Sequence, residues 1–254
     1  MFERFTTIYG QRIPSYSIIL LIGVIASIAW VLMRTPKEKR LATLDTLLIA
    51  LVSAVIIGRM VHVAVSWAYF SENMGVIWRI HQSGGINWHG AVIGAIITII
   101  SLGHWRNIDT DQLLDSFAMP IAVMALSGWW ACSVAHCAYG VEIERMADYP
   151  AWMTWDANNI YGLQAPRFAV QPIGMWLSRF LIVLIFVLHW REWAKNYRLW
   201  IALIFVSFIS FGLGFMRGDA SKMFYELHIE QWLDVGIISI AMIAILATMR
   251  QQLK

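Results

Sequence analysis

Charge is the scarcest property of this chain. Only 14% of its 254 residues are Asp, Glu, Lys or Arg, while 59% are apolar. Water-soluble domains carry about 25% charged residues, so a soluble globular domain is excluded and lipid is the implied solvent. Cysteine is almost missing too, with Cys132 and Cys137 the whole supply. That excludes a disulfide-rich scaffold. With no further thiols nearby it also argues against a zinc centre, and no metal or cofactor is expected. On a continuous helix, residues five apart stand about 140° apart around the axis, so these two cysteines are not expected to join each other. There is no internal repeat and no low-complexity tract, and the lack of an inverted repeat with paired broken helices disfavours a transporter. The formal charge of +3 is a matter of membrane orientation and gives no reason to expect nucleic acid as a partner.

What the chain has instead is long apolar runs. A bilayer-spanning helix takes roughly 20 residues, and seven runs approach that length: about Tyr16–Met33, Leu47–Trp67, Gly90–Leu102, Leu113–Ala135, Ile173–His189, Trp200–Phe215 and Trp232–Met249. An all-α polytopic membrane protein is predicted, as a single membrane domain over residues 1–254. The first run lacks a basic segment before it and is followed by Arg34-Thr35-Pro36-Lys37-Glu38-Lys39-Arg40, so it reads as a retained span and not a cleaved signal peptide. Basic clusters stay in the cytoplasm. The other loops lean the same way and predict an N-terminus outside and a C-terminus in the cytoplasm. Trp105, Trp190, Trp193 and Trp200 then fall near the inner interface, and Trp67, Trp78, Trp88, Trp152, Trp155 and Trp232 near the outer one, as in an aromatic belt. The inner connections are short. On the outer side Ser71–Ser83 and a longer segment, about 140–171, are polar and turn-rich, with Asp148-Tyr149-Pro150 and Asp156-Ala157-Asn158-Asn159 as turn signals. Long connections of this kind are often functional, so chemistry is expected at the outer face.

Polar residues inside spans are costly and are candidate functional residues. Arg59 and His62 lie three apart on one helix face. Arg59 either pairs with a carbonyl or carboxylate to hold helices together or binds an anion, since a guanidinium matches phosphate oxygens bidentately. Gly84-Gly85-Ile86-Asn87-Trp88-His89-Gly90 places a tight turn, an amide and a histidine at the mouth of the third run. His89 is either a satisfied structural histidine or a general base or phosphate-orienting donor. The stretch Ser127 to Gly140 leaves the fourth span and contains His136. Its small residues suit close helix packing. Arg217-Gly218-Asp219 ends the sixth span, as a plain ion pair or as part of a site.

These segments, in this order, resemble the prolipoprotein diacylglyceryl transferases over most of the chain. Tyr16 matches the tyrosine near the start of the family's first span, with Ser17 replacing the glycine that follows it. Gly58-Arg59 matches a Gly-x-Arg element in part. Gly84-Gly85 with His89-Gly90 matches a Gly-Gly-x-x-x-His-Gly element, which puts His89 on the family's essential histidine. Asp115 and Pro120 match residues that introduce its signature, and Arg167 and Gln171 match parts of an Arg-His-Pro-x-Gln segment. Arg217 matches the arginine ending the sixth span, and Gln231 a glutamine before the seventh.

The resemblance implies a reaction at the outer face of the bacterial cytoplasmic membrane. The family moves a diacylglyceryl group from phosphatidylglycerol to the thiol of a lipobox cysteine, forming a thioether and releasing glycerol phosphate. Phosphatidylglycerol and prolipoprotein signal peptides are the implied partners. The residues expected in catalysis are His89, Arg217 and Tyr16. Arg59, Gly84, Gly85, Asn87, Gly140 and His136 are expected to bind the phospholipid. His89, Arg59 and Arg217 are expected to converge on one cavity. The chain departs from the family pattern at several charged positions. Gly128 and Gly140 of the signature are kept, and Cys132, Cys137 and Tyr139 match one branch of it, but its arginine is Trp129 and its inner glycines are Ala131 and His136. The glutamate three before Arg217 is Gly214, the proline of Arg-His-Pro is Ala169, and the following glutamate is Gly174. The alternative expectation is therefore a degenerate relative that serves as a lipid-binding or structural subunit among other membrane proteins.

Overall fold

The computed structural model describes residues 5–8, 11–80, 85–106, 108–219 and 221–252. The elements run β1 (Phe5–Ile8), β2 (Gln11–Pro14), α1 (Ser15–Arg34), α2 (Arg40–Val65), α3 (Trp67–Glu72), α4 (Trp88–Trp105), α5 (Thr110–Ser116), α6 (Ala118–Ala135), β3 (Thr154–Asn158), β4 (Gln164–Phe168), α7 (Val170–Trp190), α8 (Arg198–Gly214), β5 (Met223–Phe224), β6 (Leu227–His228) and α9 (Ile229–Gln252), with short 3₁₀ turns between. In lipid every backbone N–H and C=O must be satisfied within the protein, which a helix does segment by segment. Among the described residues, six helical stretches are long and apolar enough to cross a membrane; α8 is apolar but shorter. At 17 residues it rises about 26 Å against a hydrocarbon core of about 30 Å. Large apolar side chains such as Leu21, Ile25, Val183, Phe208 and Ile243 are more than half exposed. Water would penalise them; acyl chains accept them.

The chain forms two compact units, residues 30–117 and residues 1–29 with 118–254. In the first, α2 and α4 pack closely because two glycines of α4 present no side chain. A Cβ at Gly90 would meet Val61 at 2.7 Å, and one at Gly94 would meet the Ser53 carbonyl at 2.8 Å. Ser53 Oγ donates to the Gly94 carbonyl across the contact, at 3.1 Å. This is the small-residue packing membrane helices use where no hydrophobic effect drives them together. In the second unit, Ile19 of α1 packs on Ala131 and Val134 of α6, and Gly23 meets Ser127. Helix α7 packs on α6 and α8, and α8 on α9.

The segment of residues 140–171, expected on the outer side, holds a hairpin. Strands β3 and β4 pair antiparallel from Thr154↔Phe168 to Asn158↔Gln164. Asn159 closes the turn, its Oδ1 accepting from the amides of Tyr161 and Leu163, with Gly162 at φ +82°. Residues Asp156 to Asn158, expected in a turn, are thus strand, and the turn begins one residue later.

Candidate functional site

In the unit of residues 30–117, the expected site residues gather where α2 ends and α4 begins. Arg59 is fully buried. Its Nε donates to the Ile77 carbonyl at 2.6 Å, Nη1 to Gly85 at 3.0 Å and Nη2 to Val76 at 3.0 Å. Its guanidinium lies over the Phe70 ring. His62, one turn on, meets the same ring edge-on. The shared face predicted for Arg59 and His62 is therefore the face that grips the loop after α2. Gly58 leaves room for that loop, since a Cβ there would lie 2.6 Å from Ile86, and its carbonyl takes the Asn87 amide at 3.0 Å. Gly85, at φ +82°, has the His62 ring where a Cβ would stand. Asn87 caps α4 by accepting from the Gly90 amide at 3.1 Å. His89 follows in the first turn and is 3% exposed. Gly84 lies outside the described residues.

In the other unit, three segments are joined through their backbones around Gly140. Gly218 N–H donates to the Tyr139 carbonyl at 2.8 Å, Val141 N–H to Met216 at 2.9 Å, Phe168 N–H to Val141 at 3.1 Å and Ile143 N–H to Pro166 at 2.9 Å. Gly140 pairs with Arg217, and Glu142 with Arg167. Arg217, at the end of α8, holds Asp219 bidentately, Nε to Oδ1 at 2.8 Å and Nη2 to Oδ2 at 2.5 Å. Burial works against its charge. The hydrogen bond to Asp219, with the attraction of Asp219, Glu230 and Asp234, outweighs burial and holds its pKa above the ordinary guanidinium value. Arg167 is buried; it donates to Glu142 at 3.1 Å and to the Gly140 carbonyl at 3.4 Å, and lies over the Tyr139 ring. Gln171, 1% exposed, donates to the Cys137 carbonyl at 2.8 Å. Tyr16 is half-buried against Ile19, Ala131 and Val134. Arg167 and Gln171 were noted only as pattern matches. Their spacing of four at the start of a span was the available signal, and their burial together shows why it mattered.

One expectation is overturned here. Cys132 and Cys137 form a disulfide, with Cα atoms 4.7 Å apart. The angle of 140° assumed a helix running through both, but α6 stops at Ala135 and the chain folds back. His136 and Ala138 take left-handed backbone angles, φ +60° and +49°, and the Cys137 amide returns to the Cys132 carbonyl at 3.0 Å. His136 stands inside this closed loop.

Two glycines in this unit are filled from neighbouring helices. The Trp129 indole occupies the space a side chain at Gly174 would need, 2.4 Å from a Cβ there, and packs with Val170, Ile209 and Leu213. Gln231 lies 2.7 Å from a Cβ at Gly214; it donates to the Phe211 carbonyl at 3.0 Å and accepts from the His228 amide at 2.8 Å.

A family model described as prolipoprotein diacylglyceryl transferase matches residues 4–247. The chain belongs to that family. The Streptococcus pneumoniae (strain JJA) phosphatidylglycerol–prolipoprotein diacylglyceryl transferase is 26% identical to it over 240 residues, 93% of this chain and 90% of the relative. The proteins of the same name from strain Hungary19A-6 and serotype 19F strain G54 match to the same extent. At the positions that the sequence resemblance matches to the family's signature arginine and two glutamates, this chain carries Trp129, Gly174 and Gly214. At both glycines a neighbouring side chain fills the space: the indole of Trp129 at Gly174 and the amide of Gln231 at Gly214.

Proposed function

We propose that the chain acts on phosphatidylglycerol at the outer face of the bacterial cytoplasmic membrane, transferring its diacylglyceryl group to a lipobox thiol. The observation that carries this reading is Arg217, a half-buried guanidinium whose charge is reinforced, set on the backbone network of Tyr139, Gly140 and Gly218. Such a preorganised cation suits a phosphate that gains charge as it leaves. In the reaction the thiolate sulfur bonds to the glyceryl carbon, that carbon's bond to the phosphate oxygen breaks, and glycerol phosphate departs with the electron pair. His89 accepts the thiol proton. Arg59, with three carbonyls on its guanidinium, serves by holding the loop that delivers Asn87 and His89. Tyr16 and His136 complete the proposed set. The Cys132–Cys137 bridge supports the orientation, because disulfides persist on the oxidising side. That favours an orientation with the end of α6 outside, and the Arg34–Arg40 cluster separately favours its own segment inside.

One observation favours a second reading, a lipid-binding relative with weak or absent transfer that serves as a subunit among other membrane proteins. Trp129 fills the slot over Gly174, and an indole cannot neutralise phosphate. Losing one preorganised charge contact costs about 10²–10³ in rate. Complementation decides between the two. The chain and its Trp129→Arg variant are expressed in cells depleted of their own transferase. Rescue by the unaltered chain upholds the transferase reading and refutes the second. Rescue by the variant alone, with both chains folded, establishes the second. If neither rescues, the transferase reading fails for this chain, and co-purification of partner proteins becomes the measurement.

A further inference from the structure

Residues 30–117 carry a cavity of about 120 Å³ at the end remote from His89, lined by Arg34, Lys39, Thr43, Asp109, Gln112 and Ser116 among others. Holding a single water takes only about 10–15 Å³ of such space, so the cavity has room for a tetrahedral oxyanion. Two cations against one carboxylate give its lining a net positive charge. Arg34 is stacked over the Trp30 ring, 4.8 Å from its centroid, which steadies the guanidinium. Lys39 belongs to the tract that also holds Lys37 and Arg40, and Arg40 Nε ties that tract by donating to the Thr35 carbonyl at 3.2 Å. The one lining carboxylate, Asp109, is engaged in capping: its Oδ1 accepts from the Gln112 amide at 2.9 Å.

The second observation is Thr43. It is completely buried, and its hydroxyl has no hydrogen-bond partner among the described residues. Its neighbours show the usual alternative. Thr35 and Thr46 each return their hydroxyl to the carbonyl four residues back, at 2.9 and 2.8 Å. A buried hydroxyl left without a partner costs about 1–3 kcal/mol. An oxyanion in the cavity would accept from it.

We propose that this cavity binds a phosphate group, with Arg34 and Lys39 supplying charge and Thr43 a directed hydroxyl. The positive tract beside the apolar helices α1 and α2 draws anionic headgroups, so the phosphate comes from an anionic phospholipid of the inner leaflet or from free phosphate. Thr43 and Arg59 are sixteen residues apart on α2, about 24 Å along its axis at 1.5 Å per residue. The occupant is therefore not the lipid that reacts beside His89, and the proposal stands whichever reading of the reaction holds.

The test uses the full chain in a phospholipid-free nonionic detergent, titrated with inorganic phosphate and, separately, with dihexanoylphosphatidylglycerol. Bound phosphate groups are counted by native mass spectrometry. The Arg34→Gln/Lys39→Gln double variant should lose one bound group, with affinity there reduced at least about tenfold, and Thr43→Val should weaken the same site about two- to tenfold. His89→Asn should keep it. Loss with the lipid probe alone assigns the leaflet lipid as source, and loss with inorganic phosphate assigns the free ion; both uphold the site. If the wild type binds neither probe, or if Thr43→Val, which is near-isosteric and keeps the fold, binds both as the wild type does, the proposal is overturned.

Discussion

Gly140→Ala should unfold the network around Arg217, and the structure sets the size of the effect. An alanine Cβ would stand 2.1 Å from the Phe168 carbonyl oxygen and 2.8 Å from its carbon. These are backbone atoms and cannot rotate away. Contacts under 3.0 Å essentially never occur, so the strands must part by nearly 1 Å. The Phe168–Val141 and Gly218–Tyr139 hydrogen bonds flank the point of separation. Overpacking of this kind costs about 1–3 kcal/mol, and each weakened hydrogen bond adds about 1 kcal/mol. The total, about 3–5 kcal/mol, corresponds to a fall in Tm on the order of 10 °C. The assay is thermal unfolding of the purified chain in detergent, with Gly212→Ala as its control. No atom lies within 4 Å of a Cβ at Gly212, and alanine in a helix gains about 0.5–1 kcal/mol over glycine. Gly212→Ala should hold or raise the melting temperature. If Gly140→Ala melts with the wild type, the close approach of Gly140 and Phe168 is not a feature of the folded protein, and the placement of Arg217 by that network falls with it.

Three further outcomes are expected. Cys132→Ser removes a five-residue closure, which the chain-entropy relation values at about 2 kcal/mol; the variant should melt lower and ignore reductant, whereas the wild type should shift down when reduced. Arg59→Lys should destabilise the chain by about 3–5 kcal/mol, the range seen when a buried charge loses its partners, because one ammonium cannot reach the carbonyls of Val76, Ile77 and Gly85 together; faster proteolysis within residues 66–80 would report it, and an unchanged digestion pattern would contradict the clamp. Arg217→Lys loses the two-pronged hold on Asp219 and should lower lipid binding about tenfold or more while leaving melting nearly unchanged, read by titration with dihexanoylphosphatidylglycerol; retained affinity would remove Arg217 from the phosphate site.

The apolar helices were legible in the sequence because lipid leaves little choice: a run such as Ile18 to Val31 has only the helix available to satisfy its backbone. What escaped was set by contacts distant in sequence. The carbonyls on Arg59 come from a loop 17–26 residues further along, so its spacing with His62 gave the face and not the occupant. The disulfide depended on where α6 ends, and nothing local forbids helix at His136. Strands β3 and β4 escaped because Thr-Trp-Asp-Ala-Asn and Gln-Ala-Pro-Arg-Phe lack the period-two alternation of a half-buried sheet. Arg167 was visible as a residue; its joining of Glu142, Gly140 and Tyr139 needed the fold-back that begins at His136.

The Trp129–Gly174 contact also constrains history. With the indole in place, any side chain at position 174 meets it at 2.4 Å, so a glutamate cannot appear there first. The indole must leave before an acid can return. In the opposite direction, the glycine must precede the tryptophan. The two positions are thus ordered on any mutational path that would put a charged pair there. A lineage that has taken both steps is held by sterics, and single reversions at position 174 will be counterselected for folding before they are ever tested for chemistry.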